Sequence, residues 1–181
     1  MKYLKNYKIA IFIALLVCLL ASLLGMRLSV GRQAAKLETV FMEHNDGSGK
    51  GLGQYLRQID ESAYNLIQLG DQLGVSTDAL AQARNRYAEA KTYGEYYQAC
   101  LGLCSAADRL YADMSGRELT AQQQNMLTKY YKDGINDQKN KLSHMAIAFN
   151  ECVDDYNSIF RTFPLNLFRY LLGVGEAEKF A

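Results

Sequence analysis

Tryptophan is absent from the 181 residues, proline occurs once, and neither sign of charge is in surplus: 20 Lys and Arg face 19 Asp and Glu, for a formal net charge of +1. Each shortage excludes something. Without a basic excess the chain lacks the electrostatic footprint of a nucleic-acid binder. Val and Ile are sparse beside Ala, Leu, Gln, Lys and Tyr, which removes the β-branched material of strands and favours helices. No strand pattern and no internal repeat is visible. Of four cysteines, Cys18 lies in an apolar run, and the other three are an odd number with no disulfide framework. The adjacent carboxylates Asp60-Glu61 and Asp154-Asp155 would point ~100° apart on a helix and so make no acid–base pair. Neither histidine neighbours a candidate nucleophile in sequence. The expectation is a protein that is not an enzyme and carries no cofactor.

What is present begins with residues 9–26, IAIFIALLVCLLASLLGM, whose only polar groups are Ser22 and the Cys18 thiol. At ~1.5 Å per residue a helix over this run spans roughly 27 Å, close to the hydrocarbon thickness of a bilayer. The alternative is a cleaved signal with Lys2, Lys5 and Lys8 as its basic start. The apolar core is long for a signal, and Leu20 or Leu23 occupies the −3 position of the candidate cuts. An uncleaved anchor is the better reading. Lysines before the run and Arg27, Arg32 and Lys36 after it nearly balance the loop-charge rule. The tight lysine cluster places the N-terminus inside and the body outside the cytoplasm, in a single-pass membrane protein. The expected organisation is a short basic segment (1–8), a transmembrane helix (9–26), a helical stalk (27–44), a Gly-rich loop (45–51), a helical bundle (52–174) and a tail (175–181).

Helical periodicity fills the body. Helix A (52–73) carries Leu52, Leu56, Ile59, Ala63, Leu66, Gly70 and Leu73 on one face, and Gly74 ends it, with Ser76 or Thr77 capping the next helix. Helix B (77–115) shows two seams, one through Leu80, Ala83, Tyr87, Ala90, Gly94, Tyr97, Leu101 and Cys104, the other through Tyr93, Tyr96, Cys100, Leu103, Ala107 and Leu110. Helix C opens on a Thr120–Gln123 capping box and runs to Phe163, ahead of Pro164. Its seam is Tyr131, Ile135, Gln138, Leu142, Met145, Phe149, Cys152, Tyr156, Ile159 and Phe163, a period of 3.5 that points to coiled-coil-like packing. The fold class is all-α: a transmembrane helix continuing into an antiparallel bundle of long helices. B and C, each ~60 Å long, would outreach their neighbours. Their connecting turn would then form a membrane-distal interaction tip at Met114, Arg117, Glu118 and Leu119.

Phe149-Asn150, Tyr156-Asn157, Phe163-Pro164, Asn166-Leu167 and Leu172-Gly173 together resemble the C-terminal signature of the bacterial LemA family: aromatic-Asn, Tyr-Asn seven residues on, then Phe-Pro, Asn-Leu and a short apolar tail. The N-terminal anchor and helical body are also similar to that family. The stretch 58–69 lacks the family's proline, and the Gly-rich loop resembles an insertion. The resemblance implies a membrane-bound helical bundle of LemA type with no established catalytic activity, and no catalytic residue to transfer. Phe149, Asn150, Tyr156, Asn157, Phe163 and Pro164 read as structural, with Tyr156 and Phe163 sharing a seam.

Other motifs have plain readings. The loop Gly47-Ser48-Gly49-Lys50-Gly51 misses the Ser/Thr of a phosphate loop and the position-twelve Glu of a calcium loop, where Arg57 stands. Cys100 and Cys104 lie one turn apart, and His144 and Cys152 share a face of helix C. Together they are a possible metal or thiol-redox set, against the simpler reading of core packing. The thirteen tyrosines fit core and interface. The segment 165–174 is too short to span a bilayer, and either caps the bundle base or lies at the lipid interface, as a lipid-interface sensor would. The leading expectation is a non-enzymatic scaffold or protein-interaction module. Its partners are membrane lipid at the anchor, and other proteins or a second copy at the bundle.

Overall fold

The computed structural model describes residues 2–43 and 50–181, with side chains from Tyr7 onward. The Gly-rich loop therefore lies mostly outside the described residues, as do His44 and the side chains of Lys2, Tyr3 and Lys5. The described chain is helical throughout: α1 (Lys2–Met42), α2 (Leu52–Gln72), α3 (Asp78–Glu89), α4 (Tyr93–Ser115), α5 (Ala121–Leu127), a wide π-helical segment (Thr128–Asn136), α6 (Asp137–Ser158), a 3₁₀ turn (Ile159–Arg161) and α7 (Leu165–Leu172). The chain divides into two compact units. One joins Met1–Leu37 to Asp154–Glu176, and the other joins Glu38–Val153 to Ala177–Ala181.

In the first unit α1 passes Gly31 without a break, because one glycine costs a long helix only about 1 kcal/mol. It is the one described helix long and apolar enough to cross a membrane. Its side chains are exposed at every position from Tyr7 to Ser22. The Ser22 hydroxyl donates to the Cys18 carbonyl at 2.8 Å, so the polar group inside the apolar run is satisfied by its own helix. Shelter begins at Leu23 and Met26 and is complete at Val30. Phe160 and Leu172 are buried in the second segment of the unit.

The second unit holds the larger core. Leu52, Leu56, Ile59, Ala63, Leu66 and Gly70 of α2 are buried as the spacing predicts, at ~1.5–3 kcal/mol for each large aliphatic side chain. Gly74, at φ +64°, takes the left-handed turn that ends α2, and the Val75 N–H closes back on the Gly70 carbonyl at 2.9 Å. Thr77 precedes α3 without capping it, and its hydroxyl donates instead to Asp71 of α2 at 2.7 Å. Asp60 of α2 receives two bonds from the Arg84 guanidinium of α3, at 2.7 and 3.0 Å. The wide segment packs on α2, where Gly134 leaves room for Ser62. The Tyr131 hydroxyl of that segment donates to Asp108 of α4 at 2.8 Å, and its ring stacks on Tyr111 at 3.9 Å. Burial, then the Asp108 hydrogen bond, pushes the Tyr131 phenol up to about 12.

Two helical expectations need correction. Helix B is not one rod. Ala90 and Thr92 are extended, and Thr92 with Glu95 forms a capping box that starts α4 afresh. α4 then folds back along α3. A 60 Å projection of B is therefore lost, and with it the reason for a protruding tip. Helix C opens on the Thr120–Gln123 box as expected but stops at Ser158. Pro164 follows a cis peptide bond and starts α7 instead of ending helix C.

Candidate functional site

A groove of about 770 Å³ lies between α3 and α4, lined by the small residues Ala83, Ala99, Gly102 and Ala106 and by the charged side chains of Arg86, Glu89, Glu95 and Arg109. Its origin is the break at 90–92. The two helices meet through small residues, so the surface between them stays open, with polar and charged side chains such as Gln98, Ser105, Arg86 and Arg109 lining it beside the alanines. Gly102 faces open space, with no atom within 4 Å of where a Cβ would stand. The groove's end is fixed by the capping box: the Thr92 hydroxyl accepts from the Glu95 N–H at 3.3 Å, and the Glu95 carboxylate accepts from the Lys91 and Thr92 N–H groups at 2.6 and 3.1 Å. Those two backbone bonds hold the Glu95 carboxyl below its ordinary range.

The start of α4 also carries an aromatic cluster. Phe41 meets Tyr93 at 4.9 Å and Phe149 at 5.3 Å, and Tyr93 meets Phe149 edge-on at 4.9 Å. Such pairs contribute ~0.5–1.5 kcal/mol each beyond their burial. The C-terminal strip enters this cluster. Phe180 is buried, 5.2 Å from the Tyr97 ring, and Glu178 accepts from the Thr92 hydroxyl at 2.7 Å.

The signature residues divide by environment. Phe149 is buried in the cluster, and Asn150 beside it bonds the Phe180 backbone twice. Tyr156 is half-buried, edge-on to Phe160 at 5.3 Å, and its hydroxyl donates to the Gly175 carbonyl at 3.3 Å; burial raises its phenol. Asn157 and Pro164 are half-buried. Phe163 is 78% exposed, so it does not share a seam with Tyr156, and Phe160 occupies the interior in its place. Among the residues expected at a tip, Met114 is fully buried. Arg117 and Glu118 are exposed and Leu119 half-buried, and the Arg117 guanidinium donates to the Leu73 carbonyl at 2.7 Å. That bond ties the end of α4 to the end of α2.

Cys100 and Cys104 are both buried in α4. Their mutual hydrogen bond, then burial, holds the Cys100 thiol well above its ordinary range. His144 is exposed and Cys152 half-buried. Among the described residues no three His, Cys, Asp or Glu side chains converge as metal ligands would.

Of the groove residues, only Ala83 and Ala90 were marked in sequence, as part of a helix B seam, and the C-terminal strip was not singled out. The signal for the groove was present as Thr92-x-x-Glu95, the same pattern that located the start of helix C. Phe180 carried no local signal, since its role depends on contacts 30 residues away in sequence at Asn150. No protein-family model, curated protein or solved structure matches the chain.

Proposed function

We propose that this chain is a membrane-anchored helical-bundle protein of LemA type that acts without catalysis, as a scaffold binding other proteins. The observation that carries this reading is the α3–α4 groove, whose small residues and charged side chains suit an amphipathic helix laid along it. Ala83, Ala99, Gly102 and Ala106 allow close backbone approach, and Arg86 and Arg109 stand where acidic residues of a partner helix would meet them. The apolar, fully exposed stretch of α1 supports the anchor. The Phe149-Asn150 to Phe163-Pro164 pattern supports the family assignment, the lysines at the N-terminus support a body outside the cytoplasm, and the return of α4 along α3 supports an antiparallel bundle.

The test is site-specific photocrosslinking in intact membranes. A crosslinker replacing Gln98 or Ser105 beside the groove should capture one defined protein, and Gly102→Trp, which has room on the exposed helix, should abolish the capture while the melting temperature holds. Equal capture from Gln124, away from the groove, or capture that survives Gly102→Trp, would overturn the reading.

A further inference from the structure

Eight residues in α7, LNLFRYLL, contain only two polar side chains, Asn166 and Arg169. A surface helix needs one apolar face, and a helix apolar on both sides has a second surface to cover. Leu165, Phe168 and Leu172 lie three and four apart and are half-buried or buried. Leu167, Tyr170 and Leu171, with Phe163 just before the helix, recur at the same spacing on the other side and are exposed, by 66, 80, 71 and 78%. Arg169 stands at the edge of that side: its guanidinium pairs with Glu176 at 2.9 Å, donates to the Tyr170 hydroxyl at 2.9 Å and lies over the Tyr170 ring at 4.8 Å. The outer face thus combines two aliphatic side chains, an aromatic ring and a tyrosine whose polar end is held by an arginine. This is the make-up of side chains that sit at the level of lipid headgroups.

Position agrees with composition. α7 belongs to the same compact unit as the apolar half of α1. In that unit α1 is exposed from Tyr7 to Ser22 and sheltered from Leu23 onward, at Leu23, Met26 and Val30. Within the unit, the other segment, Asp154–Glu176, can therefore touch α1 only from Leu23 onward, past the exposed apolar stretch. A bilayer spanned by 9–26 has its boundary at that level. Four side chains, each already partly covered, offer less than the roughly 800 Å² per partner that a stable dimer needs.

We propose that α7 is a second membrane contact, lying in the lipid interface where α1 leaves the bilayer, with Phe163, Leu167, Tyr170 and Leu171 toward the acyl chains. This inference rests on the reading of α1 as a membrane span. It makes the unit a two-point attachment: one helix crosses the bilayer and a short one lies along its surface, which fixes the tilt and rotation of the exit point.

The absence of tryptophan makes a direct test possible. Full-length variants carrying a single tryptophan, Leu167→Trp, Phe163→Trp, Leu15→Trp or Gln124→Trp, are reconstituted in vesicles of phosphatidylcholine and phosphatidylglycerol. Fluorescence is then quenched with lipids brominated either near the headgroup or near the chain end. Leu167→Trp and Phe163→Trp should be quenched several-fold more than Gln124→Trp, most strongly by the shallow bromines, and Leu15→Trp by the deep ones. Quenching of both α7 variants no greater than that of Gln124→Trp, with Leu15→Trp still quenched, overturns the α7 contact and leaves the anchor standing. Blue-shifted emission at α7 without bromine quenching also overturns it, as the mark of a protein contact. An unquenched Leu15→Trp removes the anchor, and the α7 contact with it.

Discussion

The side-chain amide of Asn150 closes a two-point ring with the backbone of Phe180: its Nδ2 donates to the Phe180 carbonyl at 3.0 Å, and its Oδ1 accepts from the Phe180 N–H at 2.8 Å. An asparagine in this position completes the hydrogen bonding of an extended strip as a neighbouring strand would. It also sets the depth at which the Phe180 ring enters the cluster of Phe41 and Tyr97. Asn150 belongs to the aromatic-Asn pair of the signature, so that pair has a physical role here: the aromatic ring fills the core and the amide fastens the strip against it.

Asn150→Ala removes both bonds and leaves a backbone N–H and C=O of Phe180 unsatisfied beside the core. The expected loss is about 1–3 kcal/mol, read as a lower denaturant midpoint in detergent. Phe180→Ala should cost ~3–5 kcal/mol by emptying its pocket. The double variant should fall well short of the sum, because each change already frees the strip. Additive losses would show that the amide and the ring act independently.

Thr92→Ala should destabilise by about 0.5–2 kcal/mol, since it removes the α4 cap and the bond to Glu178 together. The pH dependence comes from Glu95. Its folded carboxyl is held below the ordinary range by two backbone N–H groups, so its contribution is present above the ordinary glutamate range and is lost as pH falls through the folded value. Glu95→Gln should flatten the acid limb of the melting-temperature profile in that window. An acid limb identical in the two proteins would mean that the capping carboxylate contributes nothing to acid stability.

How far these features could be read in advance differs along the chain. The face of α2 was legible because leucines spaced four and three apart, ended by Gly74, admit one solution. The break at 90–92 was hidden because Ala90 and Lys91 are good helix formers, and only the Thr92–Glu95 pair marked it. On helix C, Ile135, Leu142 and Phe149 are buried as the 3.5 period predicts. Past Phe149 the interior moves to Val153 and Phe160, away from Cys152 and Phe163. An α-helix turns every 3.6 residues, so a strict heptad drifts out of the core over several turns. The groove was illegible for a different reason: alanines and glycines on a helix fit a buried contact and an open groove equally well, and only the fold-back of α4 on α3 decides between them.

Gly134→Ala tests the approach of the wide segment to α2. A Cβ at Gly134 would stand 2.7 Å from the Ser62 Cβ, with the Ser62 hydroxyl closer still, and 3.3 Å from the Lys129 carbonyl. Overpacking of this kind costs about 1–3 kcal/mol. Ser62→Gly made in the Gly134→Ala background removes the clashing side chain and should recover part of the loss, measured by denaturant unfolding. No recovery would mean that the strain lies against the helix's own Lys129 carbonyl instead.

Cys100 gives the alkaline counterpart. The Cys104 hydrogen bond and burial both hold its thiol protonated in the folded chain, whereas the unfolded chain releases that proton near the ordinary thiol value of ~8.5. The Cys100 contribution is therefore present below the ordinary thiol range and is lost as pH rises above it toward the ordinary tyrosine range, near ~10, while Cys104, held below its ordinary range by the same hydrogen bond, acts in the opposite sense at lower pH. Cys100→Ala should lower stability at neutral pH by opening a small cavity, yet lose less on going from pH ~8 to ~10. The same burial keeps the thiol from reagents. In the folded protein a water-soluble maleimide should label the half-buried Cys152 well ahead of Cys100 and Cys104, which should react only as denaturant opens α4. Labelling of all three at one rate in native buffer would place Cys100 and Cys104 at the surface and undo the packing of α4 against its neighbours.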